Sequence, residues 1–108
     1  MPRDYIAFDG GYNTGINQGA WAIVLVRDGK EKLLDYGIEH HSKSSDMEWI
    51  AAKRAVAWAR SERVKVIKGD FLACINRMAW QHKEFSWEWI PSKGNPADKW
   101  AKPHEELI

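Results

Sequence analysis

The chain has 108 residues, 44% of them hydrophobic, which is enough for the buried core of one domain spanning residues 1–108. A single cysteine excludes an internal disulfide, and the sequence shows neither a signal-peptide pattern nor an apolar run that could cross a bilayer, so we expect a soluble, cytoplasmic protein without a membrane partner. The net charge of +1 argues against a general nucleic-acid coat, although neutralising four of the acids with metal ions would leave a basic surface.

Three strands are predicted at the start of the chain. Residues 4–9 alternate polar and apolar side chains, and this strand is expected to stop at the Gly-Gly pair that follows, before a polar loop. Residues 20–27 are almost all apolar, which is typical of a strand covered on both faces. The Asp-Gly pair after them favours a tight hairpin turn, so residues 31–40 should form a third strand antiparallel to the second.

Helices and further strands are predicted for the rest of the chain. Ser45 with Glu48 forms a capping box, and apolar residues at helical spacing extend this helix to about Arg60. Strands that arrive through helical crossovers should run parallel to the first. The later elements expected are a strand at 64–67, a helix at 70–80, a strand at 85–90, a loop at 91–94 and a final short helix opened by Asn95-Pro96.

Four acidic residues fall at the ends of these elements. Asp9 and Asp70 close the first and fourth strands, whereas Glu48 and Asp98 lie in the first turns of the first and last helices. If the two strands are neighbours, both aspartates project at the carboxyl edge of the sheet, where ligands bind in open α/β sheets. Singly, each acid is equally well a turn residue or a helix-end charge. Together they predict a site for Mg²⁺ or Mn²⁺, because clustered carboxylates need hard cations to offset their repulsion.

Four segments, in order and over nearly the whole chain, resemble motifs of the type 1 ribonuclease H family. They are DGGYNTGINQGAWAIVL, DMEWIAAKRAVAWA, VIKGDFLACI and WEWIPSKGNPADKWA. The resemblance implies an α/β fold with a five-stranded mixed sheet of order 3-2-1-4-5, in which strands 1–3 form an antiparallel meander and helices cover both faces.

The same resemblance implies an endonuclease that hydrolyses the RNA strand of RNA–DNA hybrids and leaves 5′-phosphate and 3′-hydroxyl ends. Catalysis would use two Mg²⁺ ions, or Mn²⁺, per site. Asp9 is the best candidate for bridging both ions, with Glu48 and Asp70 on the first and Asp98 on the second. The expected partner is the hybrid, and the expected state is a monomer or a weak dimer.

Substrate contacts are expected from backbone at the glycine pair, from the polar loop after it, and from cations and an aromatic residue near the second helix. Selecting the RNA strand requires a group that recognises the 2′-hydroxyl. For the glycines, a plain turn is about as good an interpretation as close approach to a phosphate. The candidates are Gly10, Gly11, Asn13, Asn17, Arg77, Trp80 and Lys93.

The sequence departs from the family pattern around the last strand. The loop at 91–94 lacks the histidine that many members carry, and only about fifteen residues separate Asp70 from that strand, so the basic insertion of longer members is missing. We therefore expect weak, salt-sensitive substrate binding. Two alternatives remain open: another nuclease of the same fold, or a catalytically weak nucleic-acid-binding module.

Overall fold

A five-stranded sheet and two α-helices make up the part of the chain that the structure, a computed structural model, describes: residues 3–40 and 44–102, without the side chains of 44 and 45. The strands form where side chains alternate between polar and apolar or are apolar throughout, and the helices form where apolar residues recur about every 3.6 residues. The elements are β1 (Tyr5–Asn13), β2 (Gln18–Arg27), β3 (Lys30–His40), α1 (Ser44–Glu62), β4 (Val66–Gly69), α2 (Leu72–Gln81) and β5 (Ser86–Trp89), followed by a 3-10 turn (Ser92–Gly94).

The strands are arranged in the predicted order, β3-β2-β1-β4-β5. β1, β2 and β3 pair as an antiparallel meander, and β4 and β5 run parallel to β1. Asp28 and Gly29 join β2 to β3 with φ values of 53° and 76°, which are the positive angles that a type I′ hairpin turn requires. The predicted strand order and strand directions are therefore confirmed.

The first strand is longer than predicted, since it runs through the glycine pair to Asn13 and stays paired with β2. A Cβ on Gly10 would lie 2.3 Å from the carbonyl carbon of Met47, and one on Gly11 would lie 2.4 Å from the Ala101 carbonyl oxygen. The two glycines therefore allow α1 and the last described turns to pack directly on the strand. The prediction that they end the strand is wrong.

The predicted start of the fourth strand at Val64 is wrong as well. The Val64 N–H donates to the Ala59 carbonyl oxygen at 2.9 Å, and Arg63 has a φ of 57°, which is the arrangement of a Schellman motif at a helix C-terminus. Val64 thus closes α1, and β4 begins two residues later than expected. At the other end of α1, the predicted capping box depends on the Ser45 side chain, which lies outside the described part of the structure.

Both helices lie on one face of the sheet. Ile6 and Phe8 of β1 pack there against α1 and α2 in the main core. On the other face, Ala97 and Ala101 pack against Ala7, Ala22 and Val24. The predicted last helix is not formed within residues 95–102, so the expectation of helices on both faces is wrong for the described residues. Within residues 95–102, most backbone hydrogen bonds join residues three apart. The bond from the Ala101 N–H to the Ala97 carbonyl, at 3.0 Å, is the one in this segment that joins residues four apart, as in an α-helix.

The tryptophans divide between core and surface. Trp21 is buried and Trp87 is half-buried against Phe8, whereas Trp89 and Trp100 are exposed. Trp89 lies on the edge strand β5, and its indole N–H donates to the Asp70 carbonyl at 3.0 Å. In the described part of the chain, neither helix has the length and apolar character needed to span a membrane.

Candidate metal centre

Three carboxylates converge where β4 ends beside the middle of β1. Asp9 lies on β1, Glu48 lies in α1 near its start, and Asp70 follows β4 directly. One ligand oxygen from each lies within 4.8 Å of the others. Asp9 and Glu48 are 5% and 4% exposed, whereas Asp70 is partly exposed, so two of the three carboxylates are buried and the cluster differs from a solvated charged surface.

The backbone at Gly10 orients two of these carboxylates. Its N–H donates to Asp9 Oδ1 at 2.9 Å and to Glu48 Oε1 at 2.5 Å. The second oxygen, Glu48 Oε2, is buried and has no hydrogen-bond partner among the described residues. A buried acceptor without a donor is energetically costly unless another ligand satisfies it, so the local geometry leaves a coordination position open on Glu48.

Burial and mutual repulsion strongly perturb the acidity of this cluster. Burial is the largest cause that raises the pKa of Asp9 to about 11, followed by its hydrogen bond to Glu48, repulsion from Glu48 and repulsion from Asp70. Burial also raises the pKa of Glu48, although hydrogen bonds from Asp9 and Gly10 act in the opposite direction. Without a cation the cluster therefore retains a proton at neutral pH, and a divalent cation would displace it.

Asp98 borders the same cleft as Asp9 and Asp70 but lies outside the three-carboxylate cluster. Its side chain is 34% exposed and forms an ion pair with Lys102, four residues later, at 3.4 Å. The structure thus brings all four predicted acids to one open cleft of about 590 Å³. Three of them are packed tightly, and the fourth is held at the rim.

Asn95 connects the rim to the cluster. Its Nδ2 donates to the Phe8 carbonyl at 3.0 Å and to Asp70 Oδ2 at 3.1 Å, while its Oδ1 accepts the Ala97 N–H at 3.0 Å. The residue is buried, so it fixes the segment that carries Asp98 against β1 and Asp70. Sequence reasoning identified Asn95 as a cap only. Its second role had no local signal, because the bonded partners are 25 and 87 residues away.

Lys102 is a charged cleft residue that sequence reasoning missed. The spacing of four residues from Asp98 was an available signal for an ion pair, because such residues are neighbours on a helical turn. Its ammonium group lines the same cleft as the carboxylates, where it can contact an anionic ligand.

The predicted substrate residues divide among several surfaces. Gly10, Gly11 and Asn13 line the acidic cleft. Asn17 lies in the hairpin loop and accepts a hydrogen bond from the Tyr12 hydroxyl. The other three lie elsewhere: Lys93 lines a neighbouring groove beside Tyr5, Arg77 lines a cavity between the two helices, and Trp80 is 72% exposed on α2.

Comparison with known proteins identifies the fold. No protein-family model and no curated protein sequence matches the chain. Among solved structures, RNase H1 from the halophilic archaeon Halobacterium salinarum NRC-1 is similar at 19% identity, with a TM-score of 0.65 and coverage of 93% of this chain and 95% of that one. The N-terminal RNase H domain of a Mycobacterium tuberculosis protein is similar at 14% identity, with a TM-score of 0.70 and coverage of 92% and 90%.

A third similar structure, LC11-RNase H1, was isolated from compost by a metagenomic approach. It is 14% identical to this chain, with a TM-score of 0.70 and coverage of 94% of each chain. A structure of that protein in complex with an RNA/DNA hybrid matches at 13% identity, with a TM-score of 0.63 and coverage of 92% and 94%. The chain therefore has the ribonuclease H-like fold.

Proposed function

We propose that this protein is a metal-dependent endonuclease that hydrolyses the RNA strand of RNA–DNA hybrids and leaves 5′-phosphate and 3′-hydroxyl ends. The observation that carries the proposal is the largely buried cluster of Asp9, Glu48 and Asp70, with ligand oxygens within 4.8 Å of one another, beside the carboxyl end of β4 in a ribonuclease H-like sheet. The proposal includes the hybrid as partner, a monomeric or weakly dimeric state and a cytoplasmic location.

The donor set fits Mg²⁺ or Mn²⁺. Carboxylate oxygens are the ligands these hard cations prefer, and the buried Glu48 Oε2 lacks any other partner in the described structure. Asp9, Glu48 and Asp70 would hold one ion, and Asp9 with Asp98 would hold a second. When bound, such ions make a hydroxide nucleophile available near neutral pH and stabilise the leaving oxygen.

The chain's own residues would position the substrate for this reaction. Water attacks the scissile phosphorus, the bond to the 3′ oxygen breaks, and that oxygen leaves as a hydroxyl. Gly10 and Gly11 lie on the cleft wall without side chains, so a phosphate-bearing strand can approach the backbone closely. Asn13 can donate to a 2′-hydroxyl, and Lys102 can pair with a phosphate once Asp98 is engaged by a cation.

A cleavage assay tests the proposal. The wild type is incubated with labelled RNA–DNA hybrid, double-stranded RNA or single-stranded DNA, in Mg²⁺ or Mn²⁺, beside Asp70→Asn and the matched surface variant Asp28→Asn. We expect cleavage of RNA in the hybrid alone, lost in Asp70→Asn and retained in Asp28→Asn, because Asp28 lies in the exposed β2–β3 turn.

The other outcomes identify the alternatives. Cleavage of double-stranded RNA or single-stranded DNA would indicate another nuclease built on the same fold. Hybrid binding without cleavage in either metal would indicate a nucleic-acid-binding module. Either result would overturn the proposed activity while leaving the fold unaffected.

A further inference from the structure

Asp70 is the member of the acidic cluster that regular structure fixes least. β4 ends directly before it and α2 begins two residues after it, so Asp70 lies in the link between them. It is partly exposed, whereas Asp9 and Glu48 are buried. Those two also share the Gly10 N–H, at 2.9 and 2.5 Å. The position of the Asp70 carboxylate therefore depends on other contacts.

The neighbouring strand β5 holds the main chain at this point. Trp89 lies opposite Gly69 in the parallel ladder, and the Ile90 N–H donates to the Gly69 carbonyl oxygen at 2.9 Å. One residue further along, where β4 has ended, the indole N–H of Trp89 donates to the Asp70 carbonyl oxygen at 3.0 Å. Both distances are those of ordinary N–H···O hydrogen bonds. The indole thus extends by one residue the hydrogen bonding that the backbone of β5 provides.

Packing alone does not account for a tryptophan at this position. Trp89 is 52% exposed on the edge strand, so much of its apolar area gains nothing from burial. Phenylalanine or leucine could cover the same edge, but neither side chain has a donor, whereas the indole N–H donates. The feature that tryptophan adds is therefore the hydrogen bond to Asp70.

We propose that Trp89 is a positioning residue of the metal centre, which holds the Asp70 main chain so that the Asp70 carboxylate stays within the cluster. Asn95 holds the side chain of the same residue, because its Nδ2 donates to Asp70 Oδ2 at 3.1 Å. Replacing a residue that orients a metal ligand commonly lowers metal affinity about ten- to a hundredfold. The inference rests on the proposed function, because it requires that the cluster binds Mg²⁺.

Mg²⁺ binding in the absence of nucleic acid tests the inference. Benzothienylalanine introduced at position 89 keeps the bicyclic ring and replaces its N–H by sulfur, and Trp89→Phe removes the donor by ordinary mutagenesis. The matched control is benzothienylalanine at position 87, because the Trp87 indole N–H donates to the His82 carbonyl oxygen, also at 3.0 Å. That bond starts from the same strand but does not involve a residue of the cluster.

We expect both changes at position 89 to raise the Mg²⁺ dissociation constant in calorimetry about tenfold, while the change at position 87 leaves it at the wild-type value. Benzothienylalanine should lower Tm by only a few degrees at either position, since each loses one hydrogen bond. A purely structural role predicts equal effects at the two positions. Wild-type Mg²⁺ affinity in both position-89 variants, or equal losses at positions 87 and 89, would overturn the inference.

The wild-type protein provides a second measurement that needs no variant. In NMR spectra of the metal-free protein, the Trp89 indole proton should exchange slowly with solvent although the ring is half exposed, and its resonance should shift when Mg²⁺ is added. The exposed indole of Trp80 on α2 serves as the reference for fast exchange. A Trp89 indole proton that exchanges as fast as that of Trp80 would contradict the positioning role.

Cleavage of labelled hybrid separates this inference from the proposed function. A wild type that binds Mg²⁺ at a site dependent on Trp89 but cuts no hybrid would refute the proposed activity and leave the positioning role intact. A wild type that cuts hybrid, with position-89 variants that bind Mg²⁺ and cut equally well, would refute the positioning role alone. If the wild type binds no Mg²⁺, both are overturned.

Discussion

Replacing Asp9 by asparagine should stabilise the metal-free protein. Burial, with the hydrogen bond to Glu48 and repulsion from Glu48 and Asp70, raises the pKa of Asp9 from 3.8 to about 11. The folded state therefore keeps a proton that the unfolded state releases above about pH 4. The contribution of this group to stability is complete below pH 3.8 and is lost as pH rises toward 11.

The magnitude follows from the pH interval. Each pH unit between the unfolded-state pKa of Asp9 and pH 7 lowers the free energy of unfolding by about 1.4 kcal/mol, so the wild type is about 4 kcal/mol less stable at pH 7 than at acidic pH. Asparagine resembles the protonated acid in shape and carries no charge. Because Glu48 can share this proton with Asp9, the full penalty does not belong to Asp9 alone. We therefore expect Asp9→Asn to raise the free energy of unfolding by about 2 kcal/mol, which raises Tm by about 10 °C in a domain of this size.

Thermal unfolding in EDTA at pH 5, 7 and 9 measures this effect. The Tm of the wild type should fall across the series, while that of Asp9→Asn should change little. Mg²⁺ should raise the Tm of the wild type, most at pH 9, and should leave the variant unchanged. Asp28→Asn is the control for removal of an exposed acid. A wild-type Tm that is independent of pH, or a metal-free Asp9→Asn less stable than wild type, would refute the reasoning.

Three further predictions concern other parts of the site. Asn95→Ala should destabilise the fold by about 2 kcal/mol, because it leaves buried hydrogen-bond partners unsatisfied. It should also weaken Mg²⁺ binding measured by calorimetry. Unchanged Mg²⁺ affinity would contradict the role of Asn95 in positioning Asp70 and Asp98. Gly10→Ala should lower Tm by more than 10 °C, since its Cβ would lie 2.3 Å from Met47, whereas Gly15→Ala in the exposed hairpin loop should lower it by only a few degrees. Trp80→Ala should alter the free energy of unfolding by no more than about 0.5 kcal/mol because the indole is exposed. It should nevertheless weaken hybrid binding in a fluorescence titration. Normal binding would show that Trp80 does not contact the substrate.

The parts of the fold that the sequence predicts are those encoded by local patterns. The Asp-Gly turn determines one hairpin by itself, and helical crossovers determine that the later strands run parallel to β1. Once the strand order places β1 beside β4, the meeting of Asp9 and Asp70 follows from geometry. Glu48 joins them because α1 packs on β1 at the glycine pair.

The errors arise where a local signal has a non-local cause. A Gly-Gly pair in a polar surrounding indicates a break in a strand, but here each glycine accommodates backbone from elsewhere in the chain. Val64 is β-branched and follows a helix, which favours a strand, but its N–H closes α1. None of these contacts can be deduced from the spacing of residues along the sequence.

The four acids differ in what holds them, and this difference matters for the proposed chemistry. Asp9 and Glu48 are buried, and both accept the Gly10 N–H. Asp98 belongs to a segment of turns that Asn95 ties to Asp70 at 3.1 Å, and it forms an ion pair with the exposed Lys102. Under the proposed function, the buried carboxylates would allow a cation to bind at the cluster before substrate, whereas the more exposed Asp98 would contribute to a second site. Under the proposed function, a cation that engaged Asp98 would then release Lys102 to pair with a phosphate of the substrate.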